Sequence, residues 1–223
     1  MTGIIRRNKW VIAAIAVASL ALVAYRWLDV PDHDYVTIEE RAHNPVNLHM
    51  IDSGIHLLQD GDIVLRTGND ITSTMFCKMN LKDKTYSHCG IVMIENGYPF
   101  VYHSIGGEDN PNETLRRDSA SFWFSPLHNT GFGILRFGFT ASQTDSLKSI
   151  VHSYYAAKKK FDLDFDLKDD SKLYCTEMVY KSLNYAAGAN FISTTHWMGK
   201  EYVATDNFTH HPKAHLICQV RYK

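Results

Sequence analysis

The hydrophobic pattern of this 223-residue chain changes character twice. From Trp10 to Tyr25 it is an unbroken apolar run with Ser19 its one interior hydroxyl, flanked by Arg6, Arg7 and Lys9 before and Arg26 after. Sixteen helical residues rise about 24 Å against a hydrocarbon core of about 30 Å, and Trp10, Tyr25, Trp27 and a snorkelling Arg26 make up the difference. The pattern predicts an uncleaved membrane anchor over residues 1–28. A cleaved signal is the alternative, but Ala16-Val17-Ala18 lies inside the apolar run and Leu22-Val23-Ala24 has a large residue where a small one is wanted. Three basic residues before the run and one after put the N-terminus in the cytosol and the remainder outside it. Residues 29–56 hold Pro31, Pro45 and many charges without a clean period, and read as a linker or tether.

From Leu57 the pattern becomes that of a folded domain, residues 57–223. A turn at Asp60-Gly61-Asp62 leads into a strand at 63–66. Asp70 or Thr72 caps a helix with Ile71, Met75 and Met79 on one face. Gly90 to Ile94 is a β-branched run, Asn96-Gly97 a hairpin turn, and Phe100 to His103 the return strand. Residues 106–130 read as loop, 133–137 as a strand. Thr140 or Ser142 caps a helix with Leu147, Ile150, Val151 and Tyr154 on one side. Leu173 to Ala187 reads as a helix ending at Gly188, and Leu216 to Val220 as a final strand. Strands surrounding segregated helices give an α+β class with a largely antiparallel sheet or partial barrel packed against helices.

Composition then separates the two parts. The whole chain is 45% hydrophobic with net charge -1, which excludes a disordered or supercharged protein. It also gives no electrostatic reason to expect nucleic acid. Without Arg6, Arg7, Lys9 and Arg26, 19 basic residues face 24 acidic ones, so the domain is acidic. Cys77, Cys89, Cys175 and Cys218 are too few and scattered for a disulfide framework, and any pairing among Cys77, Cys89 and Cys218 stays open.

Two places can carry chemistry. Tyr86-Ser87-His88-Cys89-Gly90 puts a histidine at the mouth of a buried strand, and Val101-Tyr102-His103-Ser104 puts another on the return strand. With the turn at Asn96-Gly97, facing residues sum to about 193, so His88 faces position 105 and two residues of slippage bring His103 alongside. Spacing alone leaves this open between a catalytic pair, one imidazole orienting the other, and two half-buried strand histidines. Leu173-Tyr174-Cys175-Thr176-Glu177 puts Cys175 in the first turn of a helix, where backbone N–H groups and a nearby imidazolium favour thiolate. An inert buried thiol is the ordinary alternative.

In this order, Gly61-Asp62-Ile63-Val64, Tyr86-Ser87-His88-Cys89-Gly90-Ile91, Val101-Tyr102-His103-Ser104, Phe161-Asp162-Leu163-Asp164-Phe165 and Tyr174-Cys175-Thr176-Glu177-Met178-Val179 resemble the circularly permuted papain-like cysteine hydrolases. These are the YiiX/YebB-like branch of the NlpC superfamily, relatives of lecithin retinol acyltransferase. The resemblance covers about residues 57–221 and implies a permuted papain-like fold. It implies Cys175 as nucleophile, His88 as general base and His103 as the third polar residue, where many YiiX-like members carry Glu. Tyr86 and Tyr174 flank these residues as possible oxyanion donors or pocket walls. The implied activity is a thiol hydrolase or acyltransferase acting on amide or ester bonds of cell-envelope peptides or lipid-linked acyl groups, without cofactor or metal. In a bacterium it implies an inner-membrane anchor with the domain facing the periplasm or cell wall. The alternative of another class is a catalytically silent module that binds cell-envelope or lipid ligands in the same groove.

Two rival patterns are weaker. Asp162, Asp164 and Asp166 alternate, but an EF-hand loop needs Gly at position 167 and Glu at 173, where both residues are Leu; outward Asp residues on an edge strand fit better. His196, His210, His211 and His215 lack the local partners of a four-ligand zinc site.

Overall fold

The computed structural model describes residues 36–107, 110–197 and 199–223, and the expected anchor lies outside them. Among the described residues no helix is long and apolar enough to cross a membrane.

The chain opens with α1 (Ile38–His43) and α2 (Pro45–Leu57). Thr37 and Glu40 cap α1 reciprocally, and Asn44 caps α2 just before Pro45. Over residues 36–56 this corrects the tether expected for 29–56, the remainder of which lies outside the described residues. Pro45 starts a helix instead of breaking one, because proline at the first helical position loses no hydrogen bond. Asn47, Ile51 and Gly54 of α2 are buried against the domain, and Asn47 donates to the Lys223 carbonyl at 2.8 Å. Gly54 sits over the Phe132 ring, where an added Cβ would lie 2.7 Å from the nearest carbon. Gly54→Ala is therefore expected to cost about 1–3 kcal/mol, read as a lower urea midpoint; an unchanged midpoint would mean that α2 is not docked as described.

Strands β1 (Ile63–Gly68), β2 (His88–Glu95), β3 (Tyr98–His103), β4 (Arg116–Ser119), β5 (Asn129–Phe137) and β8 (Ala214–Arg221) form one sheet in the order β4-β3-β2-β1-β5-β8. Every neighbouring pair is antiparallel. Between them lie α3 (Ile71–Met79), α4 (Ala120–Trp123), α5 (Ala141–Ala156), α6 (Cys175–Ala187), a small hairpin β6 (Thr195–Trp197) and β7 (Lys200–Tyr202), and α7 (Asp206–Thr209).

Alternation in the strands sends their side chains to two cores. Ile63, Leu65, Cys89, Ile91 and Met93 face Leu147 and Val151 of α5 and Met178, Val179 and Leu183 of α6. Val64, Val92, Val101, Phe132 and Ile134 face Ile51 of α2 and Trp123 of α4. The active-site candidates lie at one end of β2 and β3, where α6 begins.

Residues 161–167 are not the expected edge strand. Asp162 is buried and accepts from the amides of Asp164 and Asp166, folding the segment into a turn. A carboxylate two and four residues from free amides caps them locally, and this competes with an extended ladder.

Candidate active site

The Asn96-Gly97 hairpin has the expected register, with Ile91 opposite Tyr102 and Val92 opposite Val101. No slippage is needed to join the histidines. The register puts Gly90 across from His103, and His88, two residues on, lies diagonally from His103 on the same face. A Cβ on Gly90 would lie 2.5 Å from Val101 Cγ1, 2.9 Å from the Tyr102 carbonyl oxygen and 3.1 Å from His103 Cβ. His88 Nε2 and His103 Nδ1 are 3.0 Å apart.

The chain continues beyond these two histidines. His103 Nε2 lies 2.9 Å from Asp118 Oδ2, and Asp118 Oδ1 accepts from Arg116 at 2.7 Å. Asp118 stands on β4, within the stretch read as loop from the sequence. Against the upward push of burial, His103 and then Arg116 hold the Asp118 carboxyl below its ordinary range.

Hydrogen-bond accounting fixes the protons. An ionised carboxylate only accepts, so His103 donates from Nε2 to Asp118, and its Nδ1 in the neutral ring is an acceptor. His88 then donates from Nε2 to His103. Its Nδ1 is left as the nitrogen with a lone pair, and among the neighbours that act on His88 the Cys175 charge is the largest influence opposing burial.

Cys175 is the first residue of α6 and is 8% exposed. Two bonds fix that helix start. Ser104, the residue after His103, donates to the Leu173 carbonyl at 2.5 Å, and Thr176 donates to the Val203 carbonyl at 2.6 Å. The thiol is drawn well below the usual thiol range: the Cys89 hydrogen bond leads, burial opposes it, and the charge and hydrogen bond of His88 and the Thr176 amide add to the lowering. Burial pushes the other cysteines the other way, Cys77 to about 11 and Cys89 and Cys218 also upward.

Burial also pushes His88 and His103 down to about 4. For His88 this opposes the thiolate, which favours a protonated partner. The lowering of Cys175 is the stronger direction, because hydrogen bonds from two neighbours besides His88 act on the sulfur.

Trp123, which no sequence motif marks, completes the surroundings of the two histidines. Its ring stacks on His88, with centroids 5.2 Å apart, and meets His103 edge-on at 4.7 Å. The Arg66 guanidinium lies 4.5 Å from the same ring centroid. An indole against both imidazoles fixes their planes and keeps water from them.

The two tyrosines separate. Tyr174 lines the cleft beside Cys175 together with Phe76, Met79 and Phe165, and its hydroxyl accepts from the Val203 amide at 3.1 Å. Tyr86 is not among the residues that line this cleft. Its phenol packs in the core against Gly133, where an added Cβ would lie 2.3 Å from the hydroxyl. The extended strand begins at His88, so the alternation that aims His88 does not run back to Tyr86.

Helix, histidine chain and sheet together define a cysteine hydrolase of the papain type in permuted order. The chain belongs to the family described as permuted papain-like amidase enzyme, YaeF/YiiX, C92 family, whose model matches residues 57–218. The crystal structure of metalloprotein yiiX from Escherichia coli O157:H7 is similar in fold, with TM-score 0.60 at 18% identity over 73% of this chain and 98% of that one. A comparison with curated proteins gives no match.

That structure is described as a metalloprotein, whereas the side chains of the site here are engaged with one another. Among the described residues no three His, Cys, Asp or Glu side chains converge as ligands. His103 uses both ring nitrogens on His88 and Asp118. His211, from the second histidine cluster, is occupied by the Phe191 carbonyl at 2.9 Å.

Proposed function

We infer that this amidase-family enzyme works through a Cys175 acyl-enzyme on amide or ester bonds of cell-envelope peptides or lipid-linked acyl groups. The observation that carries the reading is the relay from His88 through His103 to Asp118, whose carboxyl His103 and Arg116 hold below its ordinary range, beside a Cys175 thiol that His88 helps to lower. Cys175 Sγ attacks the carbonyl carbon and the carbonyl π electrons move to oxygen, which the amides of the first turn of α6 are oriented to receive. His88 Nδ1 takes the thiol proton and returns it to the leaving nitrogen or oxygen as the C–N or C–O bond breaks. Water then attacks the thioester, giving its proton to His88, and the acid and free thiolate are released. His103 and Asp118 hold His88 in the tautomer that this sequence needs.

The apolar run at residues 10–25, with its basic flank, supports anchoring at a membrane with the domain on the extracytoplasmic side. A cell-envelope substrate follows from that placement.

Thiol labelling tests the reading. At pH 7 iodoacetamide is expected to modify Cys175 well before Cys77, Cys89 and Cys218, because a thiol whose pKa is lowered is thiolate at a pH where raised ones are not. The pH midpoint of labelling should fall below 9 for Cys175 and near 11 for Cys77. His88→Ala should move the Cys175 midpoint upward, as it removes a neighbour that lowers it. A Cys175 no faster than Cys77, read by peptide mass spectrometry, would instead fit a silent binding module.

A further inference from the structure

Helix α3 has an apolar face that is exposed among the described residues. Asp70 caps it, accepting from the Ser73 amide at 2.8 Å, and Ile71, Met75 and Met79 follow at four-residue intervals along one side. Such a face ordinarily packs on a core. Here Ile71 is 72% exposed and Met75 62%, and α3 contains no buried residue. The third member, Met79, lines the cleft of Cys175 together with Phe76. Phe76 contacts Phe165 at 5.7 Å between ring centroids, and Phe165 also lines that cleft. Close to it in sequence, Leu163 is 64% exposed.

An apolar strip thus leads from open solvent at Ile71 down to the nucleophile. Its length is about 12 Å along the helix, from the eight steps between Ile71 and Met79 at about 1.5 Å each. Exposed apolar side chains standing singly need no explanation, but a strip continuous with a catalytic cleft marks a binding surface. The charged residues of this helix lie at its ends, Asp70 as the cap before Ile71 and Lys78 in the last turn, and the positions 71 to 77 between them carry none. Two of the four are methionines, whose unbranched thioethers adapt to a flexible partner.

We propose that Ile71, Met75 and Met79 form a ledge that seats a linear aliphatic chain of the substrate, so that the enzyme acts on bonds beside a hydrocarbon tail. This rests on the reading of Cys175 as the nucleophile, and it chooses the acyl-bearing substrate over the peptide. The chain gains by leaving water as each methylene covers the ledge.

Alkylation of Cys175 by N-alkyl iodoacetamides of increasing chain length tests the ledge without requiring turnover. Each rate constant is divided by that of N-acetylcysteine with the same reagent, which removes intrinsic reactivity. The N-octyl reagent is expected to exceed the N-methyl reagent by about tenfold or more at Cys175, and the advantage should drop severalfold in Ile71→Asp and Met75→Asp. Leu216→Asp, at an apolar position on β8 that is 56% exposed and outside the strip, should keep the wild-type ratio. A ratio near one in the wild-type protein, or one undiminished in both α3 variants, overturns the ledge. So does an equal advantage for an N-isobutyl reagent, which would assign the surface to an apolar peptide side chain. A flat ratio at a fast-reacting Cys175 defeats the ledge alone, whereas a thiol as slow as Cys77 defeats the nucleophile.

Discussion

Cys175→Ala abolishes turnover and acyl-enzyme formation and leaves the fold intact. The expected loss is at least about 10⁴-fold in kcat, because removing a nucleophile leaves only what the binding groove and oriented amides supply. The fold should survive because the helix start is fixed by Ser104 on the Leu173 carbonyl and by Thr176 on the Val203 carbonyl, neither of which involves the sulfur. Alanine is also a better helix former than cysteine. Circular dichroism and the urea midpoint should match wild type while amide or ester hydrolysis and the mass shift of a trapped acyl group disappear. Retained hydrolysis in a correctly folded Cys175→Ala protein would remove Cys175 from the mechanism. Cys175→Ser should be nearly as inactive, since none of the contacts that lower a thiol pKa can bring a hydroxyl near neutrality.

Asp118→Asn is expected to lower kcat by about 10² to 10⁴ with little change in KM. The size comes from a tautomer reversal. An asparagine amide can donate to His103 Nε2, which moves the His103 proton to Nδ1. His103 then donates to His88 Nε2, and the neutral His88 ring carries its proton on Nδ1, facing the thiol it should deprotonate. Geometry stays almost the same while the proton order is inverted along three residues. A role for Asp118 in packing alone would lower the urea midpoint without a selective loss in kcat. A kcat within threefold of wild type would show that the chain ends at His103.

This second residue also shows where the sequence stops being readable. The β2–β3 hairpin was legible because Asn96-Gly97 and the β-branched run specify both turn and register, and the register brings His88 and His103 together. The start of α6 was legible for a similar reason, with Cys175 at the head of an apolar period that closes at Gly188, whose φ is 107°. Asp118 was hidden because β4 reads Arg-Arg-Asp-Ser. A short edge strand with one sheet neighbour needs no apolar alternation, and charged residues there prevent unwanted pairing. Trp123 belongs to a single helical turn too short to show a period. The signals of α1 and α2 were present, Thr37 with Glu40 and Asn44 before Pro45, but the charges and prolines around them gave the appearance of a linker. For α3 the periodicity named the right face and could not say that the face meets solvent, since periodicity reports that a face is apolar and not what covers it.

Gly90 gives the active site a tolerance measured in tenths of an ångström. The spacing between β2 and β3 is set by their ladder hydrogen bonds, and the diagonal between His88 and His103 inherits that spacing. Any side chain at position 90 would act as a wedge between the strands, pressing on the Tyr102 carbonyl and the His103 Cβ. The proton path from Asp118 to Cys175 would then stretch at its middle joint while every residue that carries it remained in place. The chemistry of this enzyme is thus gauged by a hydrogen atom, the side chain of a residue that never meets a substrate.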